Sequence, residues 1–444
     1  MGRRSAKRKL LSLYTGAGGL DLGFEAAGFE TAAAVEIDPE AVATLRHNRG
    51  WPVLDRDVRT ISSQELLATA GLAEGEADVL IGGPPCQPFS KSGYWASGDT
   101  LRLGDPRAGT LGEYLRVLRD ALPKTFLLEN VPGLAYRGKT EGLALIARTI
   151  ETINQDRGVS YSLSMARLNA ADFGVPQSRE RVFVIGSRDG TDFLFPEPPQ
   201  ERYATAWDAI GDLEDDDDPA LRVRGKWADL LPSIPEGQNY LWHTERGDGR
   251  PLFGWRRRYW SFLLKLSKAL PSWTIQAQPG PASGPFHWKS RRLSARELCR
   301  LQTVPDDYTV LGSLAAVQRQ LGNAVPSALA EALARALRRQ LLGDRIDLRS
   351  SLATPSRGPV PEAEPVREVH PKYLNLIGSH AAHPGTGMGY AASAKALITP
   401  ALFSRPLPPP TTGEEGEDPL GVVLGGRFPS PGEGGREGTG EGQG

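Results

Sequence analysis

Of the two cysteines in the chain, Cys86 is the one whose neighbours prepare it for chemistry. It follows Gly82-Gly83-Pro84-Pro85 and precedes Gln87-Pro88-Phe89-Ser90. The apolar run at 77–81 reads as a buried strand, which the glycines and prolines then stop in a turn. Cys86 is therefore expected at the carboxyl end of a strand, the edge of an open α/β sheet where ligands bind. A free thiol is mostly protonated at neutral pH, yet even a small thiolate fraction is a strong nucleophile. A small packing cysteine after a turn is the plainer reading; the rigid, polar flanks favour the nucleophile. A second polar pair, Glu129-Asn130, ends the apolar run at 126–128 and either caps a helix or presents a general acid. Arg179 and Arg181 alternate just ahead of the apolar run at 182–186, so in extended chain both point to one face. Two such cations suit an anionic or carbonyl-rich ligand, the alternative being a charged strand edge.

These side chains need a scaffold, and the first half of the chain supplies its pattern. Residues 10–14 read as a strand that runs into Thr15-Gly16-Ala17-Gly18-Gly19-Leu20-Asp21, with a helix over 22–27. Strand, glycine turn and helix open a nucleotide-binding βαβ unit. Asp21 stands where the dinucleotide pattern G-x-G-x-x-G has its third glycine. A second strand at 31–35 ends in Glu36-Ile37-Asp38-Pro39. An acid there binds ribose hydroxyls in Rossmann-like sites. Glu36 is the better candidate, and Asp38 is either a second ligand or a helix-terminal acid. Asp57 follows in a loop. A helix is expected over 111–122, then a helix and a strand within 139–168.

From about 187 to 290 the strand–helix alternation is lost. Trp255-Arg256-Arg257-Arg258-Tyr259-Trp260 and His287-Trp288-Lys289-Ser290-Arg291-Arg292 interleave cations with aromatics. Such mixtures suit phosphate contact and base reading, or else form the core of a small domain. The acidic run at 213–219 reads as a surface loop. Helical pattern returns at 294–302, where Ser294 and Glu297 make a capping box and Cys299 falls among core leucines. An amphipathic helix is expected over 327–342. Beyond Gly343 the fold reads as finished: a polar, proline-bearing linker spans 344–371. His380 and His383 lack the carboxylates of a metal site, and 403–444 has the composition of a disordered tail.

The motifs, taken in order, resemble those of the cytosine-5 DNA methyltransferases. The Pro-Cys-Gln loop at 85–87 is similar to the family's nucleophile loop. The turn after Tyr14 is similar to its F-x-G-x-G-G cofactor loop, with Tyr for the usual Phe. Glu129-Asn130-Val131, Gln177-x-Arg179-x-Arg181, the run ending at Pro305, and 320–326 follow in the family's order. The resemblance covers roughly 10–342 and implies an α/β, Rossmann-like fold that is S-adenosylmethionine-dependent. It has a mostly parallel sheet and a smaller target-recognition domain.

The implied boundaries are a basic arm at 1–9, a catalytic and cofactor domain at 10–186, recognition at 187–290, a return at 291–342, an extension at 343–402 and a tail at 403–444. The implied activity is DNA (cytosine-5-)-methyl transfer, as the modification enzyme of a prokaryotic restriction–modification system, the alternative being a solitary regulatory enzyme. Cys86 is the implied nucleophile, Glu129 the acid at ring nitrogen 3, Arg181 the holder of the exocyclic oxygen, and Arg179 a support for the loop or the nucleophile. The implied S-adenosylmethionine site comprises Tyr14, Gly16, Gly18, Gly19, Leu20, Glu36, Ile37, Asp57, Val58, Pro85, Asn323 and Ala324. Duplex DNA is the implied partner of Gln87, Ser90, Arg256, Arg257, Arg258 and Lys289. The resemblance further implies a monomer without a metal, with a restriction endonuclease as a functional counterpart. A tRNA methyltransferase shares the catalytic parts, but the long basic and aromatic segment favours DNA. A nicotinamide oxidoreductase would leave Cys86 and Glu129 idle, and a non-catalytic DNA-binding module would not need them.

Composition sets outer limits. The 444 residues carry a formal net charge of −1, so any nucleic-acid surface must be local rather than global. Two cysteines provide no disulfide framework, which fits a reducing cytoplasm. No apolar run is long enough to span a membrane, and the basic start precedes too short an apolar stretch for a secretion signal.

Overall fold

Strand β1 (Arg8–Leu13) lies at the centre of the sheet, and Leu10, Leu11 and Leu13 are fully buried. The computed structural model describes residues 7–85, 109–132, 141–198, 202–255 and 260–378. Cys86, Gln87, Ser90, Arg256, Arg257, Arg258, His380, His383 and the tail at 403–444 lie outside the described residues, as does most of the basic arm.

The sheet has the order β3-β2-β1-β4-β5-β7-β6. Strand β1 pairs in parallel with β2 (Phe29–Val35) and β4 (Val79–Gly82). Outside them lie β3 (Val53–Leu54) and β5 (Thr125–Asn130), also parallel. Strand β7 (Glu180–Ser187) runs antiparallel to both β5 and β6 (Ser164–Asn169). The central strands are covered on both faces, which is why they read as continuous apolar runs rather than alternating ones. Their carboxyl ends bring the glycine turn, Glu36, Pro84-Pro85 and Glu129-Asn130 to one edge.

One face packs on α3 (Ser63–Ala70), α4 (Gly109–Ala121) and α5 (Glu141–Arg157). The other packs on α1 (Gly19–Ala26) and α9 (Ser327–Gln340). These two helices cross closely: a Cβ on Gly23 would stand 2.5 Å from Ala330 Cβ. The C-terminal helix thus closes the domain against its beginning. Strand β1 stops one residue earlier than the sequence suggests because Tyr14 takes a left-handed φ of 56°. Helix α1 starts earlier because Gly18, at φ 80°, turns the chain directly into it.

A third core joins α6 (Ala206–Ile210), α7 (Ala295–Leu301) and α8 (Leu314–Asn323) around Trp288 and Tyr308. Ser294 and Glu297 form the expected capping box, and Cys299 is buried in this core. A fourth, small core gathers Leu230, Leu231, Ile234, Leu252, Leu263 and Phe286. Tyr373 completes it, 3% exposed and stacked on Trp227 at 5.8 Å. The linker reading of 344–371 therefore needs correction. Thr354 N donates to Gly174 O, Arg357 pairs with Asp212, Glu364 pairs with Lys268, and Arg367 N donates to Pro232 O. The segment is a strap laid across the body, held by backbone bonds and ion pairs that leave no apolar pattern. Among the described residues, no helix is long and apolar enough to cross a membrane.

Candidate active site

The approach to Cys86 is shaped by contact rather than by flexibility. A Cβ on Gly82 would meet Leu13 O at 2.9 Å and the Tyr114 ring at 3.0 Å. One on Gly83 would meet Glu129 Oε2, also at 2.9 Å. Gly82 thus lets the end of β4 lie against β1 and Tyr114, and Gly83 lets the next residue lie directly against Glu129. Pro84 is buried and Pro85 is exposed, and the Pro85 carbonyl accepts from Thr110 Oγ1 at 3.1 Å. Tyr14 Oη donates to the Thr110 carbonyl at 2.6 Å, so the glycine turn and the residues on either side of 86–108 are tied at Thr110.

Glu129 is 8% exposed and its Oε1 lies 2.9 Å from Arg181 Nε. Burial raises its pKa; the positive charges of Arg181 and Arg179 pull it back only in part. The result is a carboxyl that holds a proton to higher pH than an ordinary glutamate while facing a guanidinium. Such a group can donate a hydrogen bond to a ring nitrogen.

Arg179 is fully buried and bridges three segments: its Nη1 donates to Ile275 O at 3.3 Å and its Nη2 to Gly322 O at 2.7 Å. Its Nε is buried without a partner among the described residues. Arg181 contacts the Glu129 carboxylate, whereas Arg179 acts on it only through its charge. Gln177, two residues earlier on the same side, is the residue that sequence reasoning left without a role. Its Nε2 donates to Leu301 O and its Oε1 accepts from Ile275 N, both at 3.1 Å. Its place in the i, i+2, i+4 series with Arg179 and Arg181 was the available signal.

The ends of β1 and β2 form a second cluster. Glu36 Oε2 accepts from Gly16 N at 2.6 Å, and its Oε1 accepts from Ile37 N and Asp38 N at 2.9 and 2.8 Å. The carboxylate is thereby fixed at the strand end, with Ile37 beside it leaving an apolar side chain 62% exposed. Space beyond Gly16 is open, whereas a Cβ on Gly19 would collide with Val325 O at 2.3 Å. Ala324 and Val325 are thus pressed against the glycine turn, with Leu20 behind it in the core. Asn323, at the end of α8, is exposed. Asp38 is a structural acid: it caps α2 (Pro39–Asn48) and pairs with Arg319 of α8. Asp57 caps the short turn at Val58–Thr60 and pairs with Arg59, which lowers its pKa; Val58 is buried. An open glycine cradle, a fixed carboxylate and an exposed isoleucine fit a nucleoside-bearing cofactor.

The cation-and-aromatic stretch at 287–292 is largely core and ion pair. Trp288 is fully buried with its Nε1 donating to Glu214 at 3.2 Å, and Arg291 is paired to buried Glu297 at 2.7 Å. Lys289 lies 2.7 Å from Asp215, so the acidic loop at 213–219 neutralises a cation as well as facing solvent.

A mostly parallel sheet with one reversed strand, a glycine cradle at its first turn and a buried acid–arginine pair at the same edge define a Rossmann-like fold of the methyltransferase kind, a class the family match establishes. The family model for C-5 cytosine-specific DNA methylases matches residues 8–339, and the chain belongs to that family. It is 41% identical over 369 residues to the Type II methyltransferase M.SacI of Streptomyces achromogenes, covering 75% of this chain and 93% of that one. It is 35% identical to M.FnuDI, the Type II methyltransferase of Fusobacterium nucleatum, over 72% of this chain and 92% of the relative. A putative DNA modification methyltransferase from an E. coli prophage superposes with a TM-score of 0.56 at 23% identity, over 76% of this chain and all of that one. A Spodoptera frugiperda DNMT2 variant superposes at 0.53 and 18% identity, over 74% of this chain and 99% of that one. These likenesses show the fold.

Proposed function

We propose that this cytosine-5 DNA methyltransferase uses S-adenosylmethionine to methylate a cytosine flipped out of a specific short duplex sequence, as the modification enzyme of a restriction–modification system. The observation that carries the reading is the buried Glu129–Arg181 pair, in van der Waals reach of the glycine that leads into Cys86. Carbon 5 of cytosine is a poor nucleophile. Addition of the Cys86 thiolate to carbon 6 makes the ring an enamine with electron density at carbon 5. Glu129, donating to ring nitrogen 3, lowers the barrier to that addition, and Arg181 holds the exocyclic oxygen. Arg179 holds the surrounding segments, with its free Nε left for the nucleophile loop. S-adenosylmethionine, when bound, supplies an electrophilic methyl group for carbon 5. Loss of the carbon 5 proton to a base then expels the Cys86 thiolate and restores the aromatic ring. None of these atoms is reachable inside a duplex, so the base must leave the stack.

Tyr14, Gly16, Gly18, Gly19, Leu20, Glu36, Ile37, Asp57, Val58, Pro85, Asn323 and Ala324 are the residues proposed to hold the cofactor. Among the described residues Glu36 Oε2 accepts one backbone bond, which leaves capacity for a ribose hydroxyl. Gln87, Ser90, Arg256, Arg257, Arg258 and Lys289 are the proposed DNA contacts, and Lys289 must exchange Asp215 for a phosphate to serve.

The test is covalent trapping. A target duplex with 5-fluorocytosine, which blocks the final elimination, is expected to give a denaturation-resistant complex with the wild-type chain and none with Cys86→Ser. Substantial methyl transfer by the serine variant would overturn the mechanism.

A further inference from the structure

A cleft of about 440 Å³ opens between the 220–224 segment, the 279–285 turn and the α8 face at Gln318. Arg222, Arg224 and Arg292 line it. No carboxylate of the described residues lines it. None of the three guanidiniums makes an ion pair or hydrogen bond among the described residues, although Arg222 and Arg224 are exposed and Arg292 is half-buried. Their neighbours behave differently. Lys289 is paired with Asp215, Arg291 with Glu297, Arg296 with Asp306, and Arg300 with Asp212 and Asp306. Three like charges around one concavity, without a counter-charge, repel one another. The arrangement is relieved when a polyanion occupies the cleft.

One wall residue ties the cleft to the Glu129–Arg181 pair. Ile275 forms part of its wall, and the Ile275 carbonyl accepts from Arg179, which lies beside the Arg181–Glu129 pair. Gln318 reaches the Gln276 carbonyl at 3.4 Å, which fixes α8 to the same wall. An anion bound here therefore lies on the segment that Arg179 positions.

We propose that this cleft binds the sugar-phosphate backbone of the DNA substrate through Arg222, Arg224 and Arg292, as a sequence-independent clamp. The proposal rests on the DNA methyltransferase reading. Phosphate contact is favoured over base reading by the same absence of partners. A bidentate base contact needs a guanidinium plane held in place by supporting groups. These three have none, whereas a phosphate accepts a cation from many directions.

The experiment measures binding of the full chain to a target duplex and to an unrelated duplex, with S-adenosylhomocysteine present, between roughly 50 and 200 mM salt. Arg222→Gln, Arg224→Gln and Arg292→Gln are each expected to weaken both duplexes alike, on the order of tenfold at low salt. Each should also flatten the slope of log affinity against log salt by about 0.9. The Arg→Lys variants should restore the slope. Cofactor affinity and the melting temperature serve as folding controls. Unchanged affinity and slope in all three Gln variants overturns the proposal. So does a loss confined to the target duplex with methylation spreading to a related sequence, which would make these residues base readers. Failure of the wild-type chain to methylate DNA would instead defeat the functional reading, which the binding measurement does not use.

Discussion

Glu129 is a carboxyl pressed by burial and relieved by cations together. Burial raises its pKa, and Arg181 and Arg179 oppose the shift without cancelling it. The protonated form therefore persists above the usual carboxylate range and is lost as pH rises through the raised value. A step that needs the proton at ring nitrogen 3 should slow along that limb. Glu129→Gln is expected to cut turnover by roughly 100-fold or more, the usual weight of a positioned acid, and to erase that limb of the pH–rate profile while cofactor affinity stays near wild type. An unaltered profile would place the acid elsewhere. Asp21 is the contrasting case, a buried carboxyl with a structural task. It is fully buried, accepts from Ser12 and Thr31, and is pushed up to about 7 from an ordinary 3.8 by desolvation. Its folded pKa lies above its unfolded one, so its contribution to stability is complete below 3.8 and is lost as pH climbs towards 7. The loss has a limiting slope of about 1.4 kcal/mol per pH unit. Asp21→Asn should flatten the dependence of the unfolding midpoint on pH across that window. A variant whose midpoint still falls with pH as steeply as wild type would assign the effect to another group.

At the scale of elements, the strap after α9 depends on contacts that sequence pattern cannot display. Its anchors are backbone N–H groups of Thr354 and Arg367, the ion pairs of Arg357 and Glu364, and a single buried aromatic, Tyr373. Truncation after Leu342 should therefore destabilise the fourth core and reduce DNA affinity, leaving cofactor binding at the β1 and β2 ends intact. Tyr373→Ala isolates the aromatic: a loss of roughly 3 to 5 kcal/mol is expected for a buried ring of this kind, read as faster hydrogen exchange around Trp227 and Leu230. Unchanged exchange there would show that the strap only rests on the surface. The contrast with the sheet explains what was legible. Strands β1, β4 and β5 are buried on both faces, so composition announces them, and the polar residues that interrupt each run mark the site edge. Glu129 at the end of β5, and likewise Glu36 after β2, could be placed at that edge on that account, and Arg179 and Arg181 by their alternation at the start of β7. The stretch at 287–292 was ambiguous because Trp288 and Arg291 have the composition of a DNA contact, while their burial depends on Glu214 and Glu297, which lie 74 and 6 residues away in the chain. Asp38 likewise looks like a ligand until Arg319, 281 residues on, is seen to hold it.

For the whole molecule, the question is which part chooses the DNA sequence. The catalytic cluster meets a cytosine that is the same in every target, so discrimination must come from groups outside it. Each well-made bidentate base contact is worth roughly 1 to 3 kcal/mol of preference. The segment at 187–290 holds the cations and aromatics outside the catalytic pattern, but its small core is not self-sufficient. Tyr373 fills it, Glu364 pairs with its Lys268, and Arg367 bonds to Pro232. Recognition is therefore expected to travel as two pieces. A graft of 187–290 together with 343–378 into a related methyltransferase should move the methylation pattern to this protein's target, read by bisulfite sequencing of the host plasmid. A graft of 187–290 alone should transfer the same target with lower DNA affinity, because the fourth core then lacks its tyrosine and the Lys268 pair loses one carboxylate. Continued methylation of the recipient's original site by both grafts would remove sequence choice from this region. It would leave residues 91–104 as the segment to exchange next.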